Sequence, residues 1–406
     1  MRRTGYFESS HKLLNRLFLN AVWGQRGNHV DVPTDCPQRN ERLGWTGDTQ
    51  VFCKTGAQNY NTALFFRKWL MDVIRDQEEN GACQIIVPKV GDTDRTSSGW
   101  GDAVVICPWE IYMAYGDKKA LRRQYASMKK WIEYIKGEGE NPYLWNTGTH
   151  YGDWLAMDGL TYDLGGGTSK DFIASAFYAY STDIVRKTAH VLGESEDEKY
   201  YAELFEKIVE EINKEFITRT GRVCDNTQTA HVLALYFDLV ENKERTAKEL
   251  AQLVIESSDR LSTGFLGTPY LCDALADNGY MNKAFDLLLG EEYPSWLFSV
   301  KMGATTIWEH WDGIKPDGTV WDTSMNSYNH YAYGAVCDLV YKRIGGIVPK
   351  EAGYKKILIK PETDSRITYA KTSIDTMYGK ISTDWKVEND KFTMTVEIPE
   401  NTTAEI

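Results

Sequence analysis

Apolar positions recur at steps of three and four through most of the first 345 residues, and the period drops to two after residue 350. Over residues 10–24, Leu14, Leu17, Phe18, Ala21 and Val22 form one stripe, with Ser9 or Ser10 as a cap and Gly24 as a stop, which predicts an amphipathic helix. Ala63, Phe66, Leu70, Val73 and Ile74 predict a second that ends at Gly81, and Met128, Trp131, Ile132 and Ile135 a third that ends at Gly137. The same spacing predicts helices over 101–115, 169–192, 197–217, 227–239, 243–257, 280–289 and 328–344, with shorter ones over 49–58, 268–276 and 295–302. Such consecutive helix pairs can close as a solenoid or a toroid. No repeat of about 34 to 47 residues supports a solenoid, so a helical toroid is expected.

Beyond Gly345-Gly346, Phe392, Met394, Val396 and Ile398 alternate with polar residues, and Ile381, Trp385 and Val387 nearly do, with Glu388-Asn389-Asp390 as the turn between them. With Lys356–Ile359 they predict a small antiparallel β domain that stops soon after a strand at Glu405-Ile406. The expected division is therefore 1–346, helical, and 347–406, a partial β-sandwich.

Hydrophobic residues make up 42% of the 406, which suits a globular chain and excludes disorder. The net charge of −12 and the lack of any long basic run argue against nucleic acid and anionic membranes as partners and favour a neutral substrate. No stretch approaches the ~18 to 20 apolar residues of a membrane span. Met1-Arg2-Arg3-Thr4-Gly5 leads into a polar segment without an apolar signal core, so a soluble, cytoplasmic chain is expected. Seven cysteines without a CxxC pair read as thiols, neither a disulfide framework nor a zinc site.

Aromatic content changes the picture. Thirteen tryptophans and 24 tyrosines bring it to 13%, and several indoles stand beside Gly and Asp instead of in periodic runs: Gly44-Trp45, Gly99-Trp100-Gly101-Asp102, Gly152-Asp153-Trp154 and Trp311-Asp312-Gly313. An indole with a neighbouring carboxylate in a loop suits a pyranose, which offers an apolar C–H face and a rim of hydroxyls. Plain packing is the competing explanation.

Glycoside hydrolysis needs two carboxyl groups in different surroundings. The first candidate, Glu41, lies in "DVPTDCPQRNERLGWTGD" (31–48), near Trp45, Arg39 and Arg42; the indole would raise its pKa and the arginines would lower it. The second, Glu309 in "ATTIWEHWDG", is flanked by Trp308 and Trp311 and followed by Asp312. For either residue a surface carboxylate paired with arginine is the ordinary alternative. HExxH, Walker and GxSxG patterns are absent; "LGGGTS" (164–169) and Asp92-Thr93-Asp94 read as turns, and His330 in "SYNHYAYGA" as a packed histidine at a helix start. Nothing in the pattern calls for a cofactor or a metal.

Six motifs, in order, carry a resemblance: "DVPTDCPQRNERLGWTGDTQVF", "GWGDAVVICPWEIYMAYGD", "YGDWL", "TGFLGTPYLCDAL", "YPSWLFSVKMGATTIWEHWDG" and "SYNHYAYGAV". Together the chain resembles the bacterial α-L-rhamnosidases of glycoside hydrolase family 78, over residues 4–345 and on into that family's C-terminal β-sandwich. The resemblance implies an (α/α)6 barrel and inversion of configuration at terminal α-L-rhamnose of glycosides or polysaccharides. It implies Glu41 as general acid and Glu309 as general base. It places Asp35, Arg39, Asp48 and His330 on the sugar hydroxyls, Trp45, Trp100 and Trp154 along its apolar side, and Asp102 and Asp153 more weakly in the site. Asn40 and His310 depart from it, standing where Asp and Arg are expected. Two other functions compete: a glycosidase or lyase for another deoxysugar or a uronate, and an inactive sugar-binding remnant. The oligomeric state is open.

Overall fold

The computed structural model describes residues 1–91, 95–159 and 164–406; Asp92-Thr93-Asp94 lies outside them. Helices come in consecutive pairs: α1 (Lys12–Asn28) with α2 (Thr46–Asn59), α3 (Ala63–Asp76) with α4 (Ala103–Tyr115), α5 (Lys118–Glu138) with α6 (Lys170–Leu192), α7 (Ser195–Phe216) with α8 (Gln228–Tyr236), and α9 (Lys243–Glu256) with α10 (Thr268–Asp277). The last pair is α11 (Met281–Leu289) and a 3₁₀ segment, Ala332–Cys337, that runs on into a π turn, Val340–Ile344; a short α12 (Trp296–Lys301) lies between them.

The two members of a pair differ in kind. α3, α5, α7 and α9 carry one apolar stripe and a charged face; α2 and α8 are buried nearly all round, and α4 buries most of its length. A helix buried on nearly every side lies inside, whatever its composition. The inner members close a ring: α2 packs on α4, α4 on α6, α6 on α8, α8 on α10, α10 on the 3₁₀ segment, and that segment back on α2. This is the expected (α/α)6 toroid. Trp69, Trp131, Trp145 and Trp296 fill it fully buried, so packing accounts for much of the tryptophan content.

Several helix boundaries differ from the sequence reading: α3 ends at Asp76, short of Gly81, and α5 runs through Gly137 to Glu138. α1 is capped by the His11 imidazole, which accepts from Leu14 N at 3.2 Å, not by Ser9 or Ser10. Gly24 does not stop it: the His330 carbonyl passes so close that a Cβ there would lie 2.7 Å away, so glycine serves close approach within a continuing helix. Helix does not cover 328–331, because His330 pairs with Ile307 in an isolated β-bridge before the 3₁₀ segment begins.

Among the described residues, seven strands form two sheets. β1 (Gly5–Ser9), β4 (Tyr369–Asp375), β5 (Lys380–Glu388) and β6 (Lys391–Glu397) make an antiparallel sheet in the order β1-β4-β5-β6. β2 (Ile347–Pro349), β3 (Lys356–Ile359) and β7 (Thr403–Glu405) make the other, in which β3 and β7 run parallel, contrary to a wholly antiparallel expectation. β1 pairs Gly5 with Ile374 and Ser9 with Ala370, so segments more than 350 residues apart in sequence share a sheet.

Sheet and barrel meet at Gly345. Trp385 Nε1 donates to Ile344 O and Thr383 Oγ1 to Gly345 O, both at 2.7 Å. A Cβ on Gly345 would lie 2.6 Å from the Thr372 side chain. Gly345→Ala should therefore lower unfolding free energy by about 1–3 kcal/mol through overpacking. Urea denaturation checks this, and an unchanged midpoint would show that β4 yields.

Candidate active site

The ring points the N-terminal ends of its inner helices at one cleft. Trp45 and Asp48 open α2, Trp100 precedes α4, Phe265 precedes α10, and His330 precedes the 3₁₀ segment. These side chains, with Asp35, Arg39, Glu41, Tyr151, Trp154, Glu309 and Met325, line a cavity of about 260 Å³.

The loop before α2 folds on itself. Asp35 N donates to Leu43 O at 3.0 Å and Leu43 N returns a bond to Asp35 Oδ1 at 3.1 Å. Arg42 has a φ of +55°. This pinning aims Arg39 and Glu41 inward. Arg39 Nε donates to Glu41 Oε2 at 2.9 Å, its Nη2 reaches the same oxygen, and Trp45 Nε1 donates to Glu41 Oε1 at 2.9 Å. The Cys36 thiol donates to Asp35 Oδ2 at 3.0 Å, with Glu41 Oε2 at 3.6 Å.

Glu309 enters from the opposite side. Its backbone N–H donates to Ser327 O at 2.8 Å, and Gln38 Nε2 donates to Ser327 Oγ at 2.7 Å, tying the two loops together. Arg39 Nη2 stands 3.5 Å from Glu309 Oε2, so one nitrogen touches both glutamates. His330 Nε2 meets Asp48 Oδ1 at 2.5 Å, both buried, and Asp48 in the first turn of α2 also faces the positive end of that helix. The aromatic wall gathers on Tyr151, whose ring lies 6.2, 4.8 and 5.8 Å from those of Trp45, Trp100 and Trp154.

Burial and charge set the protonation states. Burial, with Asp48 and Glu41 nearby and His330 opposing, pushes Asp35 up to about 7. Burial also pushes Glu41 upward, but the Arg39 charge and the bonds from Trp45 and Arg39 outweigh it and hold Glu41 below the ordinary value. Burial raises Glu309, only partly offset by His330 and Arg39. Burial would lower His330, yet Asp48, Glu309 and Asp35 bring it up to about 9. Asp35, Cys36 and Glu41 place ligand-type atoms within 4.8 Å of one another. Burial keeps the Cys36 thiol protonated and Arg39 already neutralises Glu41, so this trio is a hydrogen-bonded cluster, not a cation site.

Two sequence candidates leave the site. Asp102 is fully buried and absent from the cleft lining: it accepts from Gly99 N at 2.7 Å, Trp131 Nε1 at 2.9 Å and Ser181 Oγ at 2.6 Å, fixing the loop that carries Trp100. Asp153 is likewise buried, with burial raising it to about 6, and accepts from Gly264 N and Leu266 N at 2.7 Å, from Gly267 N at 3.0 Å and from Thr229, fixing the loop that carries Phe265. Trp311 stacks on Tyr333 at 4.0 Å and Trp308 sits edge-on to Tyr328; both are buried and neither lines the cleft. Glu41, Glu309, Asp35, Arg39, Trp45, Asp48, Trp100, Trp154 and His330 do converge there. Tyr151, Phe265 and Met325 were not anticipated; the first two fall inside or beside quoted motifs, whereas nothing around Met325 marks it.

Comparison with known proteins follows the same division of the chain. The profile of the bacterial alpha-L-rhamnosidase 6 hairpin glycosidase domain matches residues 2–344, and that of the bacterial alpha-L-rhamnosidase C-terminal domain matches residues 346–406. The chain belongs to the bacterial α-L-rhamnosidase six-hairpin family. An alpha-L-rhamnosidase of Formosa agariphila is 41% identical over 406 residues, 99% of this chain and 44% of the relative. The crystal structure of the Streptomyces avermitilis alpha-L-rhamnosidase complexed with L-rhamnose superposes with a TM-score of 0.94 at 39% identity, over 99% of this chain and 38% of that one. The native Aspergillus terreus enzyme gives a TM-score of 0.96 at 37% identity, over 100% and 48%. The chain thus spans less than half the length of these relatives.

Within this six-hairpin frame, the departures at 40 and 310 differ in kind. Asn40 is exposed to solvent. His310 is buried against Trp321, ring centroids 4.0 Å apart, and burial together with His330 and Arg39 lowers it to about 3, which leaves it neutral.

Two outcomes are expected. Asp153→Ala should cost about 2–4 kcal/mol in chemical denaturation, because four donors lose a buried ionic acceptor; a loss below 1 kcal/mol would show that the loop is held otherwise. His330, raised in the folded state above the ~6.5 of an unfolded chain, contributes stability that is fully present below that pH and lost as pH climbs through about 9. Melting temperature should fall between pH 7 and 9.5 in the native chain, the pair contributing on the order of 3 kcal/mol at most. The fall should be much flatter in His330→Gln.

Proposed function

We propose that this chain hydrolyses terminal α-L-rhamnose from glycosides or polysaccharides by an inverting mechanism, with Glu41 protonating the glycosidic oxygen and Glu309 activating water. The observation that carries the reading is the pair of glutamates facing each other across a cleft with an aromatic wall on one side and charged groups on the other. A deoxysugar that ends in a methyl group suits such a cleft: Trp45, Trp100 and Trp154 take its apolar side, while Asp35, Arg39, Asp48 and His330 supply fixed acceptors and donors for its hydroxyls. The naming of the relatives as alpha-L-rhamnosidases, one of them complexed with L-rhamnose, supports the choice of sugar.

Inversion leaves roughly 6.5 to 9.5 Å between carboxyl groups for a water. In the unliganded cleft Arg39 Nη2 touches one oxygen of each glutamate. The Arg39 charge and the bonds from Trp45 and Arg39 hold Glu41 below the ordinary carboxyl value against its burial, and burial raises Glu309 above it.

Release of 4-nitrophenol from its α-L-rhamnoside tests the reading. Glu41→Gln and Glu309→Gln should each lower kcat by about 10² to 10⁴ without unfolding the chain. Proton NMR of the first product should show the β-anomer. The α-anomer first would replace inversion by retention, an unsaturated product absorbing in the ultraviolet would indicate a lyase, and rhamnose binding without turnover would leave a binding remnant.

A further inference from the structure

We propose that the free edge of β6 pairs antiparallel with the same edge of a second copy of this chain, about a two-fold axis at Met394. This surface lies apart from the cleft and does not rest on the hydrolase reading.

The turn before β6 fixes which groups the edge offers. β6 ends the order β1-β4-β5-β6, so only its β5 side is paired. Asn389 and Asp390, with φ of +50° and +59°, form a two-residue turn, which makes Glu388 and Lys391 the closing hydrogen-bonded pair of the hairpin. Bonding alternates along an antiparallel pair. Lys391, Thr393, Thr395 and Glu397 therefore give their backbone groups to β5. Phe392, Met394 and Val396 turn theirs outward, where none has a partner among the described residues.

The edge is complementary to itself. Set antiparallel about Met394, the strand KFTMTVE places Lys391 opposite Glu397, Phe392 opposite Val396, Thr393 opposite Thr395 and Met394 opposite its own copy. Opposite charges, apolar pairs and hydroxyl pairs are the combinations that stabilise neighbouring strands. The register also sets outward-facing residues only against outward-facing residues, so Phe392 with Val396, and Met394 with Met394, exchange both their bonds. A slip by one residue would set them against groups already bonded to β5.

Nothing guards this edge against pairing. Edge strands that stay single commonly carry a central charge or a proline, and between Lys391 and Glu397 there is neither. Lys391 has no ion-pair partner among the described residues, and Glu397 reaches only Ser382 Oγ at 3.1 Å and Lys380 Nζ at 3.7 Å. The apolar face also runs out of cover here. Phe392, Met394 and Val396 share the face of buried Ile381, Thr383 and Trp385, yet Phe392 is 43% exposed and the other two are half-buried. A second β6 alongside would continue that face with an identical apolar row. A strand pair alone buries little surface, so the dimer is a reversible one.

Sedimentation equilibrium tests this. The average mass should rise from that of a monomer toward twice that value between about 1 and 300 µM and stop there, because a two-fold contact closes on itself. Lys391→Glu sets glutamates against each other and Glu397→Lys sets lysines; each clash occurs twice by symmetry and should weaken dimerisation about tenfold. The double variant restores opposite charges and should recover to within about threefold of the native chain. Both side chains are exposed, so native circular dichroism spectra are expected throughout. Amide exchange of Phe392, Met394 and Val396 should slow as concentration rises, while Thr393 and Thr395 stay protected at every concentration. A monomer over the whole range would leave the edge to water or to a different strand and overturn the proposal. So would growth beyond a dimer, single variants as tight as the native chain, or a double variant as weak as the singles.

Discussion

A helix packed on nearly every side needs neighbours all round, and this chain alternates such helices with amphipathic ones. That alternation dictates the rest. Five inner helices and a closing 3₁₀ segment can all be buried only if each is flanked by two others of its kind, which is a ring. The amphipathic partners wrap outside with charged faces in water. Since every inner segment is reached from an outer one, all six inner segments run the same way, and their N-terminal ends meet on one side. The cleft is the consequence of closing the ring.

The loops that lead into the converging helix starts bury backbone N–H groups of their own, and the chain meets that demand with buried carboxylates. Asp102 and Asp153 are anchors of this kind: each accepts several donors, including backbone N–H groups, at the mouth of an inner helix, and holds rigid a loop whose neighbouring aromatic, Trp100 or Phe265, reaches the cleft. Rigidity there matters for the cleft, because a ligand is positioned by walls that do not yield. The same burial that fixes the anchors raises Asp35 and Glu309 above their ordinary values, so the electrostatics of the cleft and its mechanical stiffness have one origin.

The periodicity of three and four made nearly every helix legible, because the outer helices have strong apolar stripes. Strands β1 and β4 were not legible. Gly5–Ser9 is short, and its partner lies more than 350 residues away, so no local signal marks it. The last inner segment was read as one helix, whereas Gly24 and the Ile307–His330 bridge hold its start extended. In the site, Glu41 and Glu309 were visible as carboxylates among indoles. Asp102 and Asp153 carried the same local pattern, an aspartate beside Trp and Gly, and only the fold shows that their carboxylates turn inward. Adjacency to an indole marks a loop at the mouth of the ring; it does not say which way a side chain points.

His310 shows how one side chain tunes such a cleft. An arginine there would add a permanent cation beside Glu309, hold it ionised whatever occupied the site, and compete with Arg39 for it. A buried imidazole stacked on Trp321 adds bulk but no charge. The ionisation of Glu309 then depends on His330, which is fixed to Asp48, and on Arg39, which is shared with Glu41. One guanidinium between two carboxyls cannot serve both fully at once. The carboxyl it serves is held down, and the other is left to the burial that raises it.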